Sequence, residues 1–431
     1  MTGLLSAEKV NPTVPSWFHR PSGAMHVFAR RDLTVRGRTS DEDWERSKPT
    51  IDAAHERVFV GSSDHGIYAL RAGDGSSIWR FETLGPVQSE ALYVPETDRI
   101  YAGSSDGALY CLRAATGALV FRFDTGGDVA RKPVLVGKTL YFVNAADFVF
   151  AIDSDTGVVR WQGHRTPALG MEISGHAGVA VDPASGTALT SYSDGHLVAY
   201  NLADGSEKWP PVDLSAEAEK SLGDTPKYLD ADATPVIDDA PQGRVAYVSS
   251  FSAGVFAIDV ATGSRVWSNT NVVGATDLLV WAEPAHAPHP HGPDRDGPNV
   301  PARKLLVVSS ASFGLTALDP SSGRIVWRNK VPEGGITAPA AFAGGLLVGS
   351  SRYGLFLLAP ANGRVIDGLD VSTGFAQSAA TFGGRAYIMT NAGTLLGIGI
   401  TPPLGVREPR QSVQLRSVAS TIEPPLAPLA P

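Results

Sequence analysis

The chain has 431 residues, 43% of them hydrophobic, with 46 Gly and a formal charge of −8 at a pI near 5.7. The acidic balance argues against a nucleic-acid surface, which needs a clustered basic excess. No apolar run approaches the roughly 20 residues that cross a bilayer as a helix, and a single cysteine, Cys111, excludes an internal disulfide.

Residues 1–48 are mixed in character. They open without a basic start followed by an apolar core, and without a cysteine to take a lipid, so the reading is a cytoplasmic protein or a leader preceding the given start. Two short apolar runs compete to act as a strand, Ser16-Trp17-Phe18 and residues 24–29. The first is favoured because it resembles the Trp-bearing strand that recurs downstream.

From residue 49 to 400 the chain repeats one unit. A first turn recurs at His65-Gly66, Asp106-Gly107, Asp147-Phe148, Asp194-Gly195, Ala253-Gly254, Phe313-Gly314, Tyr353-Gly354 and Ala392-Gly393. A second recurs at Asp74-Gly75, Thr116-Gly117, Thr156-Gly157, Asp204-Gly205, Thr262-Gly263, Ser322-Gly323 and Asn362-Gly363. Gly serves such turns because it reaches positive φ without a Cβ clash. Four residues after each second-turn glycine stand Trp79, Phe121, Trp161, Trp209, Trp267 and Trp327, and then Asp367, which breaks the rule. Six residues before those glycines is a small slot, Ala69, Cys111, Ala151, Ala199, Ala257 and Ala317, with Leu357 last. A small residue facing a large aromatic fills a narrowing wedge, so Cys111 reads as a buried filler.

A meander this short cannot bury its own apolar face and must stack on copies of itself. Eight first turns against seven second turns leave the last meander without an outer strand. The expected architecture is therefore all-β: an eight-bladed β-propeller of four-stranded antiparallel blades, closed by a strand from within residues 13–35. Six aromatics (Trp79, Phe121, Trp161, Trp209, Trp267, Trp327) are expected to dock blade on blade. Residues 401–431, rich in proline, read as a disordered tail.

The spacing between second-turn glycines grows from about 40 residues to about 60 across the middle of the chain. The longest connections fall at 163–178, 210–231 and 282–303, which reads as one long-loop sector for recognition, since that is where loops concentrate it. Residues 213–222 predict a short helix, capped by Asp213 or Ser215, with acidic residues in its first turns. His286, His289 and His291 present three imidazoles in a Pro-rich loop that could ligate a metal. With no carboxylate or thiol at ligand spacing before Asp294, a solvated loop is the reading and no metal site is assigned.

No catalytic constellation appears. Asp64, Asp106 and Asp194 occupy equivalent turns, where a carboxylate bonds nearby backbone N–H groups. Phe150-Ala-Ile-Asp-Ser-Asp-Thr-Gly-Val-Val-Arg-Trp161 and Phe256-Ala-Ile-Asp-Val-Ala-Thr-Gly-Ser-Arg-Val-Trp267 resemble the repeat of pyrroloquinoline-quinone dehydrogenases. That resemblance implies fold and not activity. Those enzymes are known for an adjacent cysteine pair and for a calcium held by Glu and Asn beside a catalytic Asp. This chain has Cys111 alone and no assignable Glu/Asn/Asp set.

A closer resemblance lies in Ala168-Leu-Gly-Met-Glu-Ile-Ser-Gly175, helix 213–222 and Tyr228-Leu-Asp-Ala-Asp-Ala-Thr-Pro-Val-Ile237. They are similar to the Leu-x-Leu-Arg loop, the acidic helical insertion and the Asp-x-Asp-x-Thr-Pro strand entry of the BamB family, lipoproteins of the outer-membrane β-barrel assembly machine. In that family the two loops face the periplasmic POTRA domains of BamA. The resemblance implies a partner-binding set of Leu169, Met171, Glu172, Asp230 and Asp232, with Glu172 standing where the family has arginine. It implies a non-enzymatic scaffold without a cofactor, periplasmic and peripheral to the outer membrane, binding a BamA-like protein and needing no oligomer. A quinone-dependent dehydrogenase or small-ligand propeller, and a generic interaction propeller, are the alternatives.

Overall fold

The computed structural model describes residues 23–33, 45–167, 176–216, 218–219, 228–240, 243–283, 302–329, 334–352, 354–371 and 373–401. The described strands form eight four-stranded antiparallel sheets, the blades of a β-propeller. Blade 1 runs from Thr50 to Glu82, blade 2 from Leu92 to Asp124, blade 3 from Val134 to His164 and blade 4 from Ala180 to Asp213. Blade 5 spans Val236 to Asn269, blade 6 Ala275 to Asn329 and blade 7 Ala340 to Leu369. Blade 8 takes its three inner strands from Ala380 to Ile400 and its outer strand from Met25–Asp32, at the other end of the chain.

That closing strand corrects the choice of Ser16-Trp17-Phe18, which lies outside the described residues. Met25–Asp32 pairs along the whole of Thr394–Ile400, from Met25 opposite Ile400 to Asp32 opposite Thr394, with one bulge between Val27 and Ala29. A three-residue run cannot match a partner of that length. The alternation of residues 24–29 was the better signal: Met25 and Ala29 are buried.

The apolar core is divided into clusters that sit at the seams. Phe59, Ile67 and Ala69 of blade 1 pack with Ile100, Ala102 and Tyr110 of blade 2. Corresponding clusters fill the other seams around to Tyr387, Met389 and Leu395 of blade 8 against Val58, Tyr68 and Leu70 of blade 1. Within a blade the small slot lies directly opposite the aromatic: Ala69 faces Trp79, Cys111 faces Phe121 and Ala257 faces Trp267, each followed by a bulge.

The aromatics then reach the next blade. Trp79, Trp161, Trp209, Trp267 and Trp327 donate Nε1–H to the carbonyls of Ala114, Leu202, Val260, Pro320 and Pro360 at 2.8–3.2 Å. Each ring covers the second-turn glycine of that blade. A Cβ on Gly263 would lie 2.7 Å from the Trp209 ring, and φ there is +72°. Glycine is required at this position twice over, by backbone conformation and by the ring above it.

Connections in an antiparallel meander alternate between the two ends of a blade. First turns and blade-to-blade connections therefore share one face of the ring, and second turns the other. The connections at 163–178 and 210–231 open on the first-turn face. The third long connection joins the paired strands Ala275–Glu283 and Arg303–Ser310 of blade 6, so it opens on the opposite face. The three do not form one sector.

Candidate protein-docking face and the channel neck

On the first-turn face, turn chemistry accounts for the aspartates. Asp64, Asp106 and Asp194 accept the N–H of the residue two places on, Gly66, Ala108 and His196, at 2.9–3.1 Å. Asp194 does more. Arg165, leaving blade 3, donates to it at 2.6 and 2.9 Å across the seam, and His196 Nδ1 lies 3.3 Å away. Burial works to raise the Asp194 pKa, but the bonds from His196 and Arg165 override it and hold the carboxyl at about 2. The same contact with Asp194 raises the His196 pKa. Beneath them Tyr192 and Tyr200 share a 2.7 Å hydroxyl contact.

Blade 4 hands on to blade 5 through the connection that carries the predicted helix. Asp213 caps its start, accepting the N–H groups of Ser215 at 2.8 Å and Ala216 at 3.1 Å. Ala216, Ala218 and Glu219 take helical backbone, Asp213 still belongs to the outer strand of blade 4, and Glu217 and residues 220–222 lie outside the described residues. The chain returns at Tyr228, and the stretch to Pro235 is laid on the first turn of blade 5. Phe251 N–H donates to the Asp230 carbonyl at 2.9 Å, Ser252 Oγ donates to the Tyr228 carbonyl at 2.6 Å, and the Tyr228 and Phe251 rings meet edge to face.

The expected partner-binding residues fall unevenly. Leu169, Met171 and Glu172 lie outside the described residues, as do His286, His289 and His291. Asp230 is 2% exposed and its carbonyl accepts the Phe251 N–H, so in the unbound chain its carboxylate does not stand as a rim charge. Asp232 is half-buried and has a face to solvent.

Sequence reasoning missed the neck of the central channel, where the blade-to-blade connections converge. Lys48, Glu90 and Lys132 occupy equivalent places at the entries of blades 1, 2 and 3, and both ammonium groups contact Glu90, at 2.8 and 2.7 Å. Burial would raise the Glu90 pKa, but Lys48 and Lys132 outweigh it and lower it. From the entry of blade 3, Arg131 reaches over to Asp277 of blade 6 at 3.9 Å. Burial raises the Asp277 pKa, and Arg131 and Lys48 only partly offset this. Even spacing of Lys48, Glu90 and Lys132 along the chain was the available signal. Nothing in the sequence pairs Arg131 with Asp277.

The family model described as outer membrane protein assembly factor BamB matches residues 63–287 and 270–401. The chain belongs to this family. A BamB from Kangiella koreensis is 24% identical over 143 residues, 33% of this chain and 29% of its own length. A polyvinylalcohol dehydrogenase from a Pseudomonas species is 25% identical over 317 residues, covering 65% of this chain and 44% of the relative. The chain thus matches less than half the length of either curated relative. Among solved structures, BamB from Moraxella catarrhalis superposes with a TM-score of 0.65 at 17% identity, covering 87% of this chain and 100% of that one. A quinohemoprotein alcohol dehydrogenase from Pseudomonas putida superposes at 0.61 with 15% identity, covering 91% and 78%. At these identities the superpositions show the fold alone.

Because the fold is shared with quinone enzymes, the donors present are worth testing against a calcium–quinone pair. Among the described residues no three His, Cys, Asp or Glu side chains group as a metal site. The neck carboxylates Glu90 and Asp277 face ammonium and guanidinium groups, which compete with a cation for their oxygens. Cys111 is fully buried, and burial pushes its thiol up to about 12. The described donors do not fit that pair.

Proposed function

We propose that this chain is a non-enzymatic scaffold subunit of the outer-membrane β-barrel assembly machinery, working in the periplasm at the outer membrane. It docks the POTRA region of a BamA-like protein through the loops at 168–175 and 228–235. Membership of the BamB family supports this reading. The observation that carries it is the bedding of Tyr228–Pro235 onto the Phe251-Ser252 turn, which presents a loop already ordered by a rigid blade. A preorganised loop loses less entropy on binding than a free one.

Leu169 and Met171 are assigned as apolar anchors, Glu172 and Asp232 as the charged rim, and Asp230 as the residue that orders the second loop. With the POTRA region of the cognate BamA immobilised, Leu169→Ala together with Met171→Ala should weaken binding by about tenfold or more at unchanged melting temperature. Glu172→Arg should impair binding to the cognate partner, whose facing charge is then basic. Wild-type-like binding by all of these variants removes the loops from the interface. The 25% identity to a polyvinylalcohol dehydrogenase over 65% of the chain keeps one rival reading in view. Dye-linked alcohol oxidation after adding pyrroloquinoline quinone and calcium would favour that rival.

A further inference from the structure

We propose that Arg131 is the positioning residue of the docking face, a single guanidinium that fixes the loop ending at His176 and the loop 228–235 relative to each other. This rests on the scaffold reading above for its functional consequence, though not for its geometry.

Arg131 stands where the chain enters blade 3, yet its three nitrogens serve three other blades. Nε donates to the carbonyl of His176, at the entry of blade 4. One terminal nitrogen donates to the carbonyl of Asp232 at 3.0 Å, at the entry of blade 5. The other lies 3.9 Å from the Asp277 carboxylate of blade 6. A second link runs directly between the same loops, from Gly178 N–H to Thr234 Oγ1 at 2.8 Å. Glycine leaves room for both: a Cβ at Gly178 would lie 2.8 Å from Thr234 Oγ1 and 3.3 Å from Arg131 Cβ.

The residue type suits the task. Guanidinium is planar and carries five donors in a fixed fork, so it can hold two carbonyls while a third edge meets a carboxylate. An ammonium is a point charge and cannot hold that geometry. The contacts add little to blade cohesion, because Trp161 and Trp209 already tie blade 3 to 4 and blade 4 to 5 by ring packing and Nε1–H bonds. What Arg131 orders is the ends of the two connections. These are the described anchors of the surfaces assigned to the partner.

The test separates fixing from docking. Arg131→Gln is combined with Asp277→Asn, so that no carboxylate is left in the neck without its cation. Hydrogen exchange of backbone amides is read at 176–178 and 228–235, and binding to immobilised POTRA domains is read in parallel. Exchange at those amides should quicken by about tenfold while amides in the blade 1 and blade 7 strands keep their rates, and POTRA binding should weaken by about tenfold. Arg131→Lys, with Asp277 intact, should recover only part of either change. Gly178→Ala leaves every charge in place and should quicken the same amides by crowding the bridge, which covers the case of a double variant that does not fold. Unchanged exchange at both loops overturns the proposal whatever the partner. Faster exchange with undiminished POTRA binding overturns Arg131 as a positioning residue for docking. Failure of the wild-type chain to bind POTRA domains sinks the scaffold reading, while the exchange result still decides whether Arg131 fixes the loops.

Discussion

The seam between blades 7 and 8 and the six seams from blade 1 to blade 7 meet the same demand with different chemistry. Across those six, an aromatic in or just before one outer strand lies over the second-turn glycine of the next blade. The receiving turn joins two strands of one continuous chain, so glycine and a free carbonyl are always available. Blade 8 has no such turn, because its outer strand, Met25–Asp32, comes from the other end of the chain. Here the Trp position is Asp367, fully buried, whose carboxylate accepts the Met25 N–H at 2.7 Å. Opposite Asp367 the small slot is filled by Leu357, so the sizes of the pair are exchanged. What looks in the sequence like a degenerate repeat is an adaptation to a noncovalent joint, where a strand end presents an N–H and needs an acceptor.

The comparison breaks most visibly if an ordinary seam loses its aromatic. Trp209 is 7% exposed, covers Gly263 and bonds the Val260 carbonyl at 3.2 Å. Trp209→Ala should destabilise by about 3–5 kcal/mol, the range for deleting a buried aromatic, read by urea unfolding. An effect below about 1 kcal/mol would mean that the cluster between blades 4 and 5 holds the seam without the ring.

Restoring the repeat at the closing seam should have the opposite sign from what the pattern suggests. Asp367→Trp would bring an indole against Leu357 and take the acceptor from Met25 N–H. Overpacking costs about 1–3 kcal/mol and an unsatisfied buried donor a similar amount, so a loss of about 3 kcal/mol is expected, read as a lower unfolding midpoint. Asp367→Asn keeps an oxygen for the same N–H and should cost less. A stabilised Asp367→Trp variant would show that closure uses the same packing as every other seam.

Most of the ring was legible because its turns recur at fixed offsets from an aromatic, and each offset has a steric cause. Closure was legible as a deficit of one strand, but the choice of strand went to a Trp-bearing triplet over residues 24–29. Pairing length, visible only once Thr394–Ile400 is laid out, decides for Met25–Asp32. The faces of the insertions follow from whether a loop joins strands within a blade or between blades, which separates 282–303 from the other two. At the docking face the turn aspartates and the cap at Asp213 were readable, since both act on neighbours two or three residues away. Arg131 was not. Its partners His176, Asp232 and Asp277 are distant in sequence, and only closing the ring brings them together.

The smallest expected effect concerns the one seam where the aromatic has no N–H. Phe121 covers Gly157 as its counterparts cover theirs, but it cannot donate to the carbonyl of Ser154. Tyr101, two strands further in and 1% exposed, supplies a hydroxyl at 2.9 Å, and Arg99 adds a contact at 3.2 Å. Tyr101→Phe removes the better donor and leaves the arginine, so the loss should be about 1 kcal/mol, the net worth of one hydrogen bond. Phe121→Trp alone should bring no gain, because both lone pairs of the Ser154 oxygen are already engaged. Placed on the Tyr101→Phe background, the same Trp regains an open acceptor and should recover about half of the loss or more. The measurement is a double-mutant cycle by urea unfolding, in which coupling between the two sites is the quantity of interest. Additive effects would show that the Ser154 carbonyl is not the shared partner, and that the hydroxyl of Tyr101 stabilises this seam by some other contact.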